Sequence, residues 1–396
     1  MLRFLTAGES HGPSLSVIVE GLPAGLAVSL EQVGDELARR RLGFGRGPRM
    51  RFERDEIRLI GGVRHGRTLG SPVAVEVLNS EWPKWVDEMS AAPGEPSRRL
   101  TAPRPGHADL AGMQKYGFDD ARDVLERASA RETAARVVAG ALAKQLLGEI
   151  GVRVLSHVVR IGAVVSPEGL RPAPDELDVV DASEVRCLDP GAAEAMIAEI
   201  RAAAKEGDSL GGVAEVVAYG VPVGLGSYVH WDRKLDGLLA GALMSIQAVK
   251  GVEIGDGFAQ AAQRGSVAHD AIVREDERRE TGGYARRSDH AGGIEGGVSS
   301  GAPVIVRVAM KPLATLNRPV LETVDVATGT STVSFKERTD VTAVPAMGVV
   351  AEAMTALVLA VEAQRKFGGD SVAEFVRNYE TYVDSLGRTL SGARVS

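Results

Sequence analysis

Residues 119–150 read DDARDVLERASARETAARVVAGALAKQLLGEI. Val124, Ala128, Ala135, Val138, Leu142 and Leu146 fall at helical intervals and share one side of a helix, so the spacing predicts a helix over this stretch. Arg127, Ser129, Arg131 and Glu132 occupy neighbouring positions, which sets a polar cluster beside the buried face. Downstream, a strand is expected from Val152 to Val165. Asp189-Pro190 opens a second helix carrying Met196, Ile197 and Ile200, with proline where a first turn tolerates it. Val213 to Val223 reads as a strand and Leu235 to Val249 as a helix. A glycine-rich segment over 281–301 leads into a strand with Val304, Ile305, Val306 and Val308, which ends at Lys311-Pro312.

Upstream, strands over 2–6 and 15–20 bracket the loop Gly8-Glu9-Ser10-His11-Gly12-Pro13. Ser29 and Gln32 form a capping box before a helix with Leu30, Val33 and Leu37 on one side. Ile57 to Ile60 and Val73 to Leu78 are strands. Residues 83–105 are rich in Pro, Ser, Gly and Arg and form a loop that ends at Arg104-Pro105-Gly106-His107-Ala108-Asp109. A second loop, Lys336 to Asp340, precedes an apolar run from Val341 to Ala363. Pro345, Glu352 and Glu362 interrupt that run, so a buried helix is expected and no membrane span. Residues 385–396 read as a flexible tail. Strands and helices alternate without a compositional break, which predicts one α/β or α+β domain over 1–396.

The 396 residues carry a formal charge of −7, with 25% charged and 44% hydrophobic residues. That balance argues against general nucleic-acid binding or attachment to a membrane surface. Aromatics make up only 4%, so the core must rest on Ala, Val, Leu and Ile and base stacking has little to draw on. Cys187 is the single cysteine, which leaves no disulfide framework and no thiolate metal cluster. The opening Met1-Leu2-Arg3-Phe4 lacks the pattern of a signal peptide, and a cytoplasmic location is expected.

Against the acidic average stands a basic stretch: Arg39, Arg40, Arg41, Arg46, Arg49, Arg51 and Arg54, interleaved with Gly43, Gly45 and Gly47. Like charges this close repel one another unless an anion sits among them. Arginine without lysine suits two-pronged recognition of carboxylate or phosphate. A solvated helix end followed by a loop accounts for the same run, and both readings stand on the residues alone.

Gly8-Glu9-Ser10-His11-Gly12 matches the G-x-S-x-G pattern of serine hydrolases. Its position near the start, with a strand-like Leu15-Ser16-Val17-Ile18-Val19 after it, does not suit a nucleophile elbow. Gly43-Phe44-Gly45-Arg46-Gly47 follows a helix, so a dinucleotide fold is poorly supported. No phosphate-loop signature and no histidine pair at metal spacing occurs, so no metal site is expected. His11 and His107 lie in glycine-flanked loops, where an imidazole can serve as a general acid or as a plain surface residue. Asp340 reads either as a helix-terminal charge or as a carboxylate for proton transfer.

Six stretches, in order, resemble the chorismate synthase family along almost the entire chain. They are Gly8-Glu9-Ser10-His11-Gly12-Pro13, Gly45-Arg46-Gly47-Pro48-Arg49-Met50, Arg104-Pro105-Gly106-His107-Ala108-Asp109, Glu126-Arg127-Ala128-Ser129-Ala130-Arg131-Glu132-Thr133, Arg287-Ser288-Asp289-His290-Ala291-Gly292-Gly293 with Gly296-Gly297, and Arg338-Thr339-Asp340. The resemblance implies an α+β fold, a β-α-β sandwich with helices packed between sheets, and a homotetramer arranged as a dimer of dimers. It implies a lyase that converts 5-enolpyruvylshikimate-3-phosphate to chorismate and phosphate by anti-1,4-elimination, with reduced FMN and no net redox change. This is a step of the shikimate pathway towards aromatic amino acids.

Carried over residue by residue, the resemblance gives His11 the role of acid near the departing phosphate. His107 would protonate or hydrogen-bond the flavin, and Asp340 would help remove the ring proton, with Ser10 and Ser129 hydrogen-bonding nearby. Arg39, Arg46, Arg49, Arg54 and Arg131 would hold the substrate's anionic groups. The flavin would lie against Arg127, Ala128, Ser129, Gln247, Ala248, Gly296, Lys311, Pro312, Leu313, Ala314, Thr315 and Arg338. Arg40 and Arg46 match positions given to a nicotinamide dinucleotide, which makes NADPH an indirect reductant. Without an added reductase domain, reduced flavin is expected from an external flavin reductase. Leu313-Ala314-Thr315 is more apolar than the family's serine-rich version, so backbone contacts are expected there in place of hydroxyls.

Overall fold

The computed structural model describes residues 2–47, 55–97, 99–334 and 340–390. Two antiparallel sheets face each other across a layer of helices. The first has β1 (Arg3–Ala7), β2 (Ser14–Glu20), β3 (Ile57–Gly61) and β4 (Val73–Leu78) in the order β1-β2-β4-β3. The second has β5 (Arg153–Ile161), β6 (Val164–Val165), β7 (Gly212–Tyr219), β8 (Val249–Ile254) and β9 (Val304–Met310) in the order β8-β9-β7-β5-β6. Alternation explains the first sheet: Val73, Val75 and Val77 of β4 are buried, and Val17 and Val19 of β2 point the same way.

Among the described residues the longer helices are α1 (Leu30–Arg41), α2 (Asp109–Tyr116), α3 (Arg122–Ala128), α4 (Thr133–Gly148), α5 (Pro190–Glu206), α6 (Leu235–Met244), α7 (Val344–Phe367) and α8 (Val372–Leu390). Helix α4 lies on the first sheet and α7 on the second, and the two pack against each other in the middle. The expected β-α-β sandwich is therefore present, with one hydrophobic cluster running through both sheets. Gly140 makes the central contact possible, since a Cβ there would lie 2.3 Å from the Cβ of Ala353. Helix α7 is long and apolar enough to cross a membrane, yet 89% of its most apolar window is buried inside the fold.

Several boundaries differ from the sequence expectations. The helix over 119–150 is two helices. Ser129 adopts extended backbone (φ −60°, ψ 142°), and its Oγ accepts from the Arg131 amide at 3.2 Å before a short turn, Ala130–Glu132, leads into α4. Local capping by serine outcompetes helix continuation there. The helix predicted to reach Val249 stops at Met244, because the chain turns through Ala248 (φ 66°) and Val249 begins β8. The long strand over 152–165 is a hairpin that turns at Gly162. Helix α5 starts as expected: Asp189 accepts from Ala192 N at 2.7 Å, with Pro190 in its first turn. Residues 385–390 continue α8, and 391–396 lie outside the described residues.

Candidate active site

The joint between α3 and α4 gathers several of the candidate residues. Ser129 donates from its hydroxyl to Ser10 Oγ at 3.1 Å. One turn earlier, Glu126 takes the loop between β1 and β2 at three points. Its carbonyl accepts from Ser10 N (2.9 Å), its Oε2 from His11 N (2.8 Å), and its Oε1 lies 2.8 Å from His11 Nδ1. The His11 ring stacks on Trp85, with centroids 3.9 Å apart, and Arg122 lies over the same indole. Asn79 donates to the carbonyls of Gly12 (2.8 Å) and Ser10 (3.3 Å), which fixes the loop from below. Burial alone would push the Glu126 carboxyl up. The bonds from His11 and the nearby Arg122 charge outweigh that and hold it below its ordinary value.

The pattern Gly8-Glu9-Ser10-His11-Gly12 forms no nucleophile elbow here. The loop joins two antiparallel strands and opens no helix, and Ser10 pairs with another serine hydroxyl, not with an imidazole base.

The same joint carries arginines. Arg131 is buried, and its guanidinium pairs with Asp55. Arg40 is buried too, donating to Thr133 Oγ1 (2.9 Å) and to the Ala130 carbonyl (3.0 Å). Arg127 donates to the carbonyls of Thr6 (2.9 Å) and Gly8 (3.1 Å) and to Thr6 Oγ1 (2.8 Å). It borders a cleft of about 360 Å³ that is also lined by Gln247, Glu132, Arg136 and Ser245. Glu132 accepts from Thr6 Oγ1 (2.7 Å), Arg136 (2.8 Å) and Gln247 Nε2 (3.3 Å). Burial pushes the Glu132 carboxyl up, but Arg136 and the neutral donors prevail and keep it below the usual range.

His107 belongs to a second cluster. Its Nδ1 lies 3.2 Å from the Pro105 carbonyl and its Nε2 3.3 Å from Thr315 Oγ1. Lys311 Nζ donates to the Gly106 carbonyl, and Lys311 N donates to the Ala248 carbonyl at 3.0 Å. Two flavin-expectation segments, 247–248 and 311–315, are thereby tied to the His107 loop. Gly106 (φ 73°) is required: a Cβ there would sit 2.9 Å from Ala314 and 3.2 Å from Lys311 Nζ. Burial and the adjacent Arg104 push the His107 imidazole below its ordinary value. Arg104 itself is pinned by Asp109, the first residue of α2, at 2.8 and 3.0 Å. Leu313 offers its carbonyl to Ser209 Oγ at 2.5 Å, so the apolar Leu313-Ala314 segment is anchored through its backbone.

Asp340 lies ahead of α7 and does not cap it. Its Oδ1 accepts from Gly47 N at 2.6 Å and its Oδ2 pairs with Arg46 at 2.9 Å. Gly296 sits at the exposed tip of the hairpin formed by Ile294–Glu295 and Val298–Ser299. Arg49, Arg54 and Arg338 lie outside the described residues.

Arg39 does not join the other arginines. Its guanidinium meets Glu352 at 2.8 and 2.8 Å, Asp181 at 2.5 Å and Glu36 at 2.9 Å. The expectation that Arg39 holds substrate is corrected, because its donors are spent on carboxylates inside the helix layer. Residues that sequence reasoning missed include Glu126, Trp85 and Asn79. Glu126 had a readable signal, since it stands three residues before Ser129 in the same polar cluster; Trp85 and Asn79 had none.

The family model described as chorismate synthase matches residues 2–363. A curated chorismate synthase of Salinispora tropica is 60% identical over 395 residues, covering 98% of this chain and 99% of that protein. One of Streptomyces coelicolor is 60% identical over 394 residues, covering 97% and 98%. A solved structure titled "Crystal Structure of Chorismate Synthase" superposes with a TM-score of 0.78 at 40% identity, covering 98% of each chain.

Proposed function

The chain belongs to the chorismate synthase family, and from that premise we propose that it releases phosphate from 5-enolpyruvylshikimate-3-phosphate by anti-1,4-elimination, giving chorismate. The observation that carries the reading is the joint between α3 and α4. Residues 126–133 bring together the His11 imidazole, the Ser10 and Ser129 hydroxyls and the Arg40 and Arg131 guanidiniums. The substrate bears a phosphate and carboxylates, which is the chemistry guanidiniums recognise best.

In this scheme Arg46 and Arg131, with Arg49 and Arg54, hold the anionic groups. Ser10 and Ser129 donate hydrogen bonds to substrate oxygens. His11 delivers a proton to the leaving phosphate, and Asp340, oriented by Arg46 and Gly47 N, receives the ring proton.

The chain's residues suit reduced FMN. Arg127 and Gln247 border one cleft, and Lys311 is linked to both Ala248 and the His107 loop. Cations there oppose the negative charge of the phosphate tail and of a reduced ring. Arg127, Ala128, Ser129, Gln247, Ala248, Gly296, Arg338 and the 311–315 segment would hold it, with His107 hydrogen-bonding at its edge. The chemistry the flavin supplies when bound is transient electron density, given and returned without net oxidation. An external flavin reductase, drawing on NADPH, supplies the reduced cofactor, and the working unit is a cytoplasmic homotetramer.

The test is anaerobic phosphate release from the enolpyruvyl substrate, with and without photoreduced FMN. Release only with reduced FMN is expected, and release without it would overturn the reading. Asp340→Ala and His107→Ala should each cut turnover by about 10²-fold or more while FMN still binds.

A further inference from the structure

We propose that Glu126 is a positioning residue for His11: its carboxylate fixes which ring nitrogen carries the proton and turns the other, Nε2, towards the reacting groups. The inference rests on the function proposed above. It gives a role to a buried residue whose side chain bonds His11 and Arg122.

A carboxylate only accepts hydrogen bonds. Glu126 Oε1 lies 2.8 Å from His11 Nδ1, so that nitrogen must carry hydrogen whether the ring is neutral or cationic. The other oxygen is occupied by the His11 backbone N–H at 2.8 Å, which stops the carboxyl group rotating away. Arg122 Nη1 also donates to Oε1, at 3.2 Å, from the preceding turn of α3. The Glu126 side chain is 3% exposed, so water does not compete. Trp85 stacks on the imidazole and removes the remaining freedom of the ring. Among the described residues no group hydrogen-bonds His11 Nε2. Against burial, the His11 bonds and the Arg122 charge hold the Glu126 carboxyl below its ordinary value, which accords with a carboxylate that stays ionised at neutral pH.

The logic is that of an orienting carboxylate behind a catalytic histidine, where an amide in its place leaves the geometry but supplies the wrong tautomer. Glu126→Gln has one acceptor oxygen for the three donors that now converge. With the His11 amide keeping that oxygen, the new NH2 group faces Nδ1 and forces the proton to Nε2.

Two measurements test this. The first is ¹⁵N NMR of histidine-labelled protein without ligands, with His11 assigned by its absence in His11→Asn. The neutral ring should be the Nδ1–H tautomer in the native protein and the Nε2–H tautomer in Glu126→Gln. Finding Nε2–H in the native protein overturns the proposal, and this arm needs neither a folded Glu126 variant nor turnover. The second is steady-state kinetics with reduced FMN. Glu126→Gln should lower kcat by about 10²-fold or more with KM within about threefold, and Glu126→Asp should recover part of the loss. An unchanged kcat in Glu126→Gln overturns it. If the native protein releases no phosphate, the functional reading fails while the tautomer result still decides the role of Glu126.

Discussion

Replacing Glu352 with alanine should lower the melting temperature by about 4–6 °C. Glu352 is completely buried on α7, where Arg39 grips both its oxygens at 2.8 Å. Lys144 (2.6 Å), Arg186 (3.1 Å) and Ser156 Oγ (2.6 Å) complete its surroundings. The cluster holds three cations, Arg39, Lys144 and Arg186, and three anions, Glu36, Asp181 and Glu352, so its charge sums to zero. Removing Glu352 leaves a net positive charge in the helix layer and strips Arg39, Lys144 and Arg186 of a shared acceptor. Breaking a buried pair in this way costs about 3–5 kcal/mol. For 396 residues at about 2.1 cal/mol/K each, the unfolding entropy is about 0.8 kcal/mol/K, which converts that loss to about 4–6 °C. Calorimetry at pH 7 measures it, and a shift below about 1 °C would refute the reasoning. A double-mutant cycle with Arg39→Met should show strong coupling, and Arg39→Met should leave the substrate KM unchanged well below its melting point.

Glu215 offers a pH test. Burial would raise its carboxyl, but the His157 bond and the charges of Arg171 and Arg307 bring it from 4.5 to about 2. A depressed folded value means the stabilisation is complete above pH 4.5 and disappears as pH falls from 4.5 through 2. The gap is worth about 3 kcal/mol, and urea melts of Glu215→Gln should lack that acid-limb slope. Gly140→Ala pits two effects against each other. Helix propensity would stabilise by about 1 kcal/mol, whereas the 2.3 Å approach to Ala353 forces α4 and α7 apart and costs about 1–3 kcal/mol or more. A net loss is expected on thermal melting, and a gain would show that the contact relaxes freely. His107 should titrate below its ordinary 6.5 by NMR, and Arg104→Met should move its midpoint upward.

Much of the architecture could be read from the apolar pattern, because β2 and β4 bury alternate side chains while α4 and α7 are apolar runs buried almost all round. The break at Ser129 could not, since the apolar spacing continues on both sides while a single hydroxyl decides the backbone. Arg39 was misplaced for a related reason. Its neighbours in sequence suggest an anion pocket, but its partners Asp181 and Glu352 lie far along the chain, and only tertiary packing brings them together. The loop histidines were legible as types in glycine-flanked turns. What differs between them was not: His11 meets a carboxylate, while His107 meets a carbonyl and a hydroxyl near two cations.

The late position of α7 has a consequence for biosynthesis. Both sheets are complete once Met310 has been made, yet the helix that fills the space between them ends only at Phe367. At about 5–20 residues per second, the ribosome needs about 3–11 s to cover that interval. During those seconds the first sheet has α4 against it but the inner face of the second has no permanent cover, so chaperone capture should peak late in translation, and truncation anywhere inside α7 should send the chain to proteolysis.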